Sequence, residues 1–234
     1  MTTLFWDIDG TLLTTGRAGV FAWNDAVLEV TGHTFDLAAT RTAGLTDYQI
    51  GVRTLESLGL VPTADLVARL VGRYEDLLPA SLPKKQGQVL PHVREILDHV
   101  RALGSARSLL LTGNTRRGAG AKLRYYGLLD YFPDGAFAED PSARSTIAHR
   151  ALALARGLGS VHEEQVFVIG DTPHDVECAN AIGVRTIAVA TGGYSVDELT
   201  PHAPWRVFEE LPPPEEFVRL IAEPRVAAGP TERG

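Results

Sequence analysis

The sequence predicts an α/β fold: a parallel sheet flanked by helices, with a domain of helices inserted after the first strand. Three observations lead there. Short apolar runs alternate with amphipathic stretches of helical period, the pattern of parallel βα units. Two of the runs, LLLT and VFVIG, show no polar alternation, as expected of central strands buried on both faces. After the opening run TTLFWDI, no further sheet strand is legible until near Ser108. Residues 15–86 carry helical spacing instead.

In chain order, TTLFWDI opens the sheet. RAGVFAWNDAVLEVTG, TDYQIGVRTLESLG and PTADLVARLVGRYEDLLPASL then read as amphipathic helices. Gly32 and Gly59 stand where helices would stop, since glycine takes the left-handed closing conformation without a Cβ penalty. Residues 83–87, PKKQG, read as the linker returning to the sheet. HVREILDHVRALG, residues 92–104, sets Val93, Ile96, Leu97, Val100 and Leu103 at helical spacing and stops at Gly104. The runs ARSLLLTGN, GAFAE, QVFVIGD, RTIAVATG and WRVFEEL supply the remaining strands. RRGAGAKLRYYG, SARSTIAHRALALARG and PHDVECANAIG supply helices between them. The division expected is a sheet core of residues 1–14 and 87–222, a helical domain of 15–86, and a mobile tail of 223–234, EPRVAAGPTERG.

Composition excludes several classes. The 234 residues are 44% hydrophobic and 22% charged, ordinary for a globular chain, with a net charge of -7 and a pI near 5.5. No run of Lys or Arg exceeds the pairs Lys84-Lys85 and Arg116-Arg117, so a nucleic-acid or anionic-membrane surface is disfavoured. The single cysteine, Cys178, rules out an internal disulfide and a multi-cysteine zinc site and fits a reducing compartment. The N-terminus lacks the basic and apolar regions of a signal peptide, and no apolar stretch approaches the roughly 20 residues of a membrane helix. A soluble cytoplasmic protein is expected, monomer or homodimer.

The chemistry concentrates where apolar runs end. In an open parallel sheet, ligands collect beyond the carboxyl ends of the strands. Asp7 and Asp9 close the first run, two residues apart and so on one face. Asp171 closes FVIGD, and Asp175 follows on the next helical turn. Converging carboxylates repel one another and raise one another's pKa. Mg²⁺, which prefers a few carboxylate oxygens with water and phosphate, relieves that. A third run, LLLTGN, ends in Thr112, Gly113 and Asn114, a hydroxyl and a free backbone N–H suited to cradle an anion at a helix start. Each motif also has a purely structural reading: Asp-Gly is a turn signal, and DTPHD makes a helix start capped by Thr172 or Asp171. Three such ends in one chain favour the functional reading.

This ordered set resembles the haloacid dehalogenase-like hydrolase superfamily, a Rossmann-like parallel sheet core, in the branch with an α-helical cap domain inserted after the first strand. Asp7-Ile8-Asp9-Gly10-Thr11 is similar to its first motif, Thr112 to its second, and Gly170-Asp171 with Asp175 to its fourth. The resemblance implies that Asp7 is the nucleophile, forming an aspartyl-phosphate, and that Asp9 is general acid, then base. It implies Mg²⁺ held by the side chains of Asp7 and Asp171 and the Asp9 main-chain carbonyl, with Asp175 binding through water or orienting ligands. Thr112 and the Gly113 N–H, and Asn114 beside them, would bind phosphoryl oxygens. Dehalogenases of the superfamily lack the second aspartate, so Asp9 favours a phosphate substrate. The third motif departs from the family, because the usual Lys-Pro pair is absent. Arg144, with Asp140 or Ser142 capping its helix, is the first choice for that cation. Lys122 is the second, with a solvated place on a helix face as its alternative.

Other residues carry weaker signals. Arg17 and Gly19 lie in the loop entering the cap, and Arg17 is a substrate contact or a surface residue. Trp23 reads as core, and Thr46 and Asp47 as a helix start. Arg41 and Arg53 are lesser candidates for an anionic substrate, and His174 neighbours the metal ligands. Cys178 reads as a small buried residue. The function expected is a Mg²⁺-dependent phosphatase of a small phosphorylated metabolite, similar to the phosphoglycolate-phosphatase-like group. The alternatives are a phosphomutase of the β-phosphoglucomutase kind and a non-catalytic phosphate-binding regulator.

Overall fold

A computed structural model describes residues 1–140 and 144–223. In chain order the elements are β1 (Thr2–Trp6), β2 (Leu13–Thr14), α1 (Gly19–Thr31), α2 (Asp47–Ser57), α3 (Ala64–Ser81), β3 (Gln88–Val89), α4 (Val93–Leu103), β4 (Ala106–Leu111), α5 (Arg116–Tyr125), β5 (Gly135–Ala136), α6 (Arg144–Gly157), β6 (Val166–Gly170), α7 (Pro173–Ala181), β7 (Arg185–Val189), α8 (Val196–Leu199), β8 (Arg206–Phe208) and α9 (Pro214–Ala222). Six strands form one parallel sheet in the order β5-β4-β1-β6-β7-β8. All six runs expected as strands are in it. The fold is Rossmann-like, with helices on both faces of the sheet.

The apolar alternation of β1 explains the two layers. Leu4 and Trp6, with Ile8 beyond them, point to one face, where α4, α5 and α9 cover them with Ile96, Leu123 and Phe217. Phe5 points to the other, against Ile147 of α6 and Cys178 of α7. The chain moves outward through β4 and β5 on one side of β1, then returns with β6 on the other side. That reversal opens a crevice at the carboxyl ends of β4, β1 and β6.

Helices α1, α2 and α3 enclose a separate apolar cluster that includes Trp23, Leu55, Leu70 and Leu78. The Trp23 indole N–H donates to the Thr54 hydroxyl at 3.1 Å, and its ring lies 5.0 Å from that of Tyr74. Trp23 is therefore core, as expected. Gly32 and Gly59 both sit in the left-handed region, with φ of 75° and 72°.

One element is not legible in the sequence. β2 and β3 pair antiparallel, Leu13 with Val89 and Thr14 with Gln88, so the outgoing and returning chains are laced together. Two-residue strands carry too little periodicity to be read. The expected linker begins instead as a 3₁₀ turn over Leu82–Lys84. Of the expected tail, 224–234 lie outside the described residues. Glu223 is held: its carbonyl accepts from Arg185 at 2.9 Å and its carboxylate pairs with Arg206 at 3.0 Å. Ser142, one of the two expected caps of α6, also lies outside the described residues.

Candidate active site

The site is set by register. In the sheet Trp6 stands opposite both Leu110 and Ile169, so Asp7 is level with Leu111 and Gly170. Thr112 and Asp171 are one step further out. Three residues far apart in sequence thus meet at one rim. Asp7, Asp171 and Asp175 offer carboxylate oxygens that all lie within 4.8 Å of one another, and all three side chains are buried.

Burial and mutual repulsion dominate their electrostatics. Loss of solvation, then the Asp175 charge, pushes Asp7 up to about 7, against the pull of Arg144 and of the Thr112 hydroxyl bonded to it. Asp171 is raised well above the carboxylate range by burial, then by Asp175 and Asp7. Asp175 is anchored by Thr172, whose N–H and hydroxyl donate to one oxygen at 3.0 and 2.7 Å, closing the capping box that starts α7. Arg144 donates to its other oxygen at 2.7 Å and lies 3.5 Å from Asp7. Burial opposes the Arg144 charge, but Asp175 and Asp7 outweigh it, so it remains a cation. The Cys178 thiol behind them is pushed up to about 12 by burial and is inert.

Asp9 belongs to a second group. Its side chain is 42% exposed and receives the Lys122 ammonium at 2.5 Å and the Asn114 amide at 2.8 Å. Lys122 also donates to the Asn114 carbonyl oxygen, and the Asn114 amide donates to the Thr112 hydroxyl at 3.0 Å. Lys122 is only 6% exposed, which corrects the alternative of a solvated helix face. The Asn114 side chain is bound up with Asp9, Lys122 and Thr112. Among the described residues the Gly113 N–H has no hydrogen-bond partner, and Gly113 lines the cavity.

Glycines make room for the carboxylates. A Cβ on Gly10 would lie 2.4 Å from an Asp171 oxygen, and one on Gly192 only 1.7 Å away. A Cβ on Gly170 would lie 2.2 Å from the Asp175 carboxyl carbon. The loop after β7 joins the site without having been expected there. Thr191 donates from its hydroxyl to the Gly10 carbonyl, and Gly192 packs on Asp171. The Gly-Gly following RTIAVAT is the one signal of it in the sequence.

A cavity of about 720 Å³ opens over these residues, between the strand ends and the helical insertion. Arg17 and Arg41 line it, as do Val20, Tyr74 and Asp47, whereas Arg53 does not. Thr46 caps α2, as expected. Asp47 does more than start that helix. Its N–H donates to the Gly113 carbonyl at 2.9 Å and its carboxylate accepts from the Thr115 N–H at 2.8 Å, tying the insertion to the loop after β4. His174 faces Glu177 at 2.9 Å and stands outside the carboxylate cluster.

With all three carboxylates ionised, the cluster would exceed its one guanidinium by two negative charges, which a divalent cation would cancel. The donor set, all hard oxygen, fits Mg²⁺.

A family model described as haloacid dehalogenase-like hydrolase matches residues 1–183. No curated protein matches the chain significantly. Among solved structures, a mutant of CbbY from Rhodobacter sphaeroides in complex with xylulose-(1,5)bisphosphate is 16% identical with a TM-score of 0.73, covering 90% of this chain and 95% of that one. A hydrolase from Pseudomonas syringae is 20% identical with a TM-score of 0.70, covering 94% and 97%. A predicted phosphoglycolate phosphatase from Haemophilus somnus is 17% identical with a TM-score of 0.68, covering 90% and 94%. At these identities the likeness is one of fold.

Proposed function

This chain belongs to the haloacid dehalogenase-like hydrolases, and on that footing we propose that it is a Mg²⁺-dependent phosphatase of a small phosphorylated metabolite. One observation carries the reading: Asp7 stands in a buried carboxylate cluster, while Asp9, two residues on, stands apart with its own cation. The two aspartates are thereby suited to different tasks.

Asp7 attacks phosphorus, its oxygen forming the new bond as the bond from phosphorus to the ester oxygen breaks. Asp9, entering this step in its protonated form, gives that proton to the departing alkoxide and is left as the carboxylate beside Lys122. It then takes a proton from the water that attacks the aspartyl-phosphate, and inorganic phosphate leaves. Lys122 and Asn114 fix the Asp9 carboxyl, so both transfers occur at one oriented group. The Thr112 hydroxyl and the Gly113 N–H meet phosphoryl oxygens. Arg144 holds Asp7 and Asp175 together and offsets their charge. The Asp7 and Asp171 side chains, with the Asp9 main-chain carbonyl, would hold Mg²⁺, and Asp175 would orient that set. Mg²⁺ there would keep Asp7 ionised and neutralise phosphoryl charge.

The test is phosphate release from a panel of phosphorylated metabolites, with Mg²⁺ or EDTA, for the wild type and Asp7→Asn. Release that requires Mg²⁺ and disappears in Asp7→Asn is expected. Turnover by a contaminant-free Asp7→Asn protein would remove Asp7 from its role. Chloride release would instead reveal a dehalogenase.

A further inference from the structure

No step of the proposed reaction uses the loop after β7, yet that loop reaches the centre of the site. β7 pairs with β6 in register, Ala188 beside Gly170, so Val189 is level with Asp171 and Thr191 lies two residues further out. The Ala190 N–H donates to the Phe208 carbonyl at 2.9 Å, which ties the start of the loop to β8. β6 stands between β7 and β1 in the sheet. The Thr191 hydroxyl crosses the end of β6 and donates to the Gly10 carbonyl, beyond β1, at 2.5 Å. Among the described residues it is the one hydrogen bond joining the loops after β1 and β7.

The group it grips is the weakest joint of the first loop. Gly10 sits at φ 85°, and a Cβ there would lie 2.4 Å from an Asp171 oxygen, so the position demands glycine. Glycine also has the widest backbone freedom, which leaves the peptides on either side of it free to swing unless something holds them. The preceding peptide carries the Asp9 carbonyl. It is held through its N–H, which Gly10 donates to the Leu13 carbonyl at 2.9 Å. The peptide is trans, so the Asp9 carbonyl points the opposite way, away from Leu13. The following peptide has only a long bond on its N–H side, from Thr11 to the Ile8 carbonyl at 3.3 Å. Its carbonyl is the one that Thr191 holds. A swing of that peptide would carry off the Thr11 hydroxyl, which donates to Asp171 at 3.3 Å. Gly10 and Gly192 both pack on the same Asp171 oxygen, and a Cβ on Gly10 would come within 3.0 Å of the Gly192 Cα.

Resting on the Mg²⁺ site of the phosphatase reading, we infer that Thr191 is a positioning residue for that site. Its hydroxyl locks the Gly10–Thr11 peptide, and so sets the Asp9 carbonyl and the Asp171 carboxylate relative to one another. It acts through those two groups and not on the ester. Mg²⁺ tolerates little error in the placement of its ligands, and removing a group that orients them costs about 10–100-fold in affinity. Thr191 also lines the cavity, so a direct substrate contact is the rival role.

The test measures Mg²⁺ binding by calorimetry on the full chain without substrate, for the wild type, Thr191→Val and Thr191→Ser. Valine removes the donor and keeps the bulk, whereas serine keeps the donor. Thr191→Val is expected to bind Mg²⁺ at least about tenfold more weakly, and Thr191→Ser within about threefold of the wild type. Half-maximal phosphate release should need more Mg²⁺ by the same factor, with the KM of the best ester at saturating Mg²⁺ within about twofold. Melting in EDTA checks the fold, and if Thr191→Val does not fold, Thr191→Ala also removes the donor. A variant that melts lower but keeps its Mg²⁺ affinity, an equal loss in the valine and serine variants, or a wild type that binds no Mg²⁺ would overturn the inference. A raised ester KM with unchanged Mg²⁺ affinity would also do so, and would set Thr191 against the substrate. The two readings fail separately. Mg²⁺ binding that depends on the Thr191 hydroxyl, in a protein that releases no phosphate from any ester, keeps the clamp and sinks the phosphatase. Mg²⁺-dependent phosphate release that needs Asp7 and is indifferent to Thr191→Val does the reverse.

Discussion

Gly192→Ala should disable the carboxylate cluster by adding one methyl group. The added Cβ would stand 1.7 Å from an Asp171 oxygen and 2.6 Å from its carboxyl carbon. Real Cβ atoms do not approach closer than 3.0 Å, so at least 1.3 Å of displacement is required (3.0 less 1.7). Gly192 is not among the glycines at positive φ, so alanine fits its backbone and the effect is steric. Asp171 has nowhere to retreat. It is 3% exposed, held by the Thr11 hydroxyl at 3.3 Å and walled by Gly10. Magnesium–oxygen bonds are about 2.1 Å and tolerate little error, and a misplacement of about 1 Å costs roughly 100-fold in rate. The variant should need at least about tenfold more Mg²⁺ for half-maximal phosphate release and turn over roughly 100-fold more slowly. Overpacking of this kind costs about 1–3 kcal/mol, so the protein should still fold. Gly193→Ala is the control, because its Cβ would meet only the Ala43 methyl at an ordinary 3.6 Å. The assay is phosphate release against Mg²⁺ concentration, with circular dichroism to confirm folding. A folded Gly192→Ala protein with wild-type Mg²⁺ dependence and rate would refute the placement of Asp171 at the reacting centre.

Two further predictions concern pH. Asp7 and Asp171 are raised in the fold, so their contribution to stability is full at low pH and lost as pH rises through about 7 for Asp7. The metal-free protein should therefore melt lower at pH 8 than at pH 5.5, and a fixed Mg²⁺ concentration should restore more at pH 8, where 100 times its Kd is worth about 2.7 kcal/mol in all. A melting temperature that Mg²⁺ leaves unchanged at both pH values would refute this. Asp47 is pushed up to about 6 by burial, against the pull of Lys122 and the Thr115 N–H. Its stabilising effect is likewise full near pH 4 and lost through about 6, and Asp47→Asn keeps an oxygen for Thr115 without that titration. The variant should gain on the wild type between pH 4 and 7, by up to about 2–3 kcal/mol. A stability difference independent of pH, measured by urea unfolding, would count against a buried, ionising Asp47.

Asp47 also gives the helical insertion a direct hold on the site. It bonds the loop that presents Thr112 and Gly113, and a Cβ on Gly113 would come within 2.9 Å of the Leu45 carbonyl. The loop after β4 and the insertion are therefore in backbone contact, and parting them must break the two hydrogen bonds of Asp47.

Much of this was legible in the linear chain because periodicity and strand ends are local properties. Six apolar runs became the six strands, and the helical span after TTLFWDI became α1, α2 and α3. Asp7, Asp171, Asp175 and Thr112 could be singled out because each closes or follows a buried run, and Arg144 does stand beside Asp7 and Asp175. What sequence could not supply is what depends on register and on contact between distant segments. The alignment of Trp6 with both Leu110 and Ile169 brings the three rims level. Lys122 proved buried because α5 packs it over Asp9 and Asn114, which helical spacing cannot reveal. Asp47 reads as an ordinary helix start until the insertion folds back onto Thr115. Gly192 matters only because an Asp171 oxygen lies where its Cβ would be. Residue type and spacing determined which chemistry this protein carries. Tertiary packing decided which charges are buried and which are paired, because desolvation and Coulomb energies depend on distances in space and not along the chain.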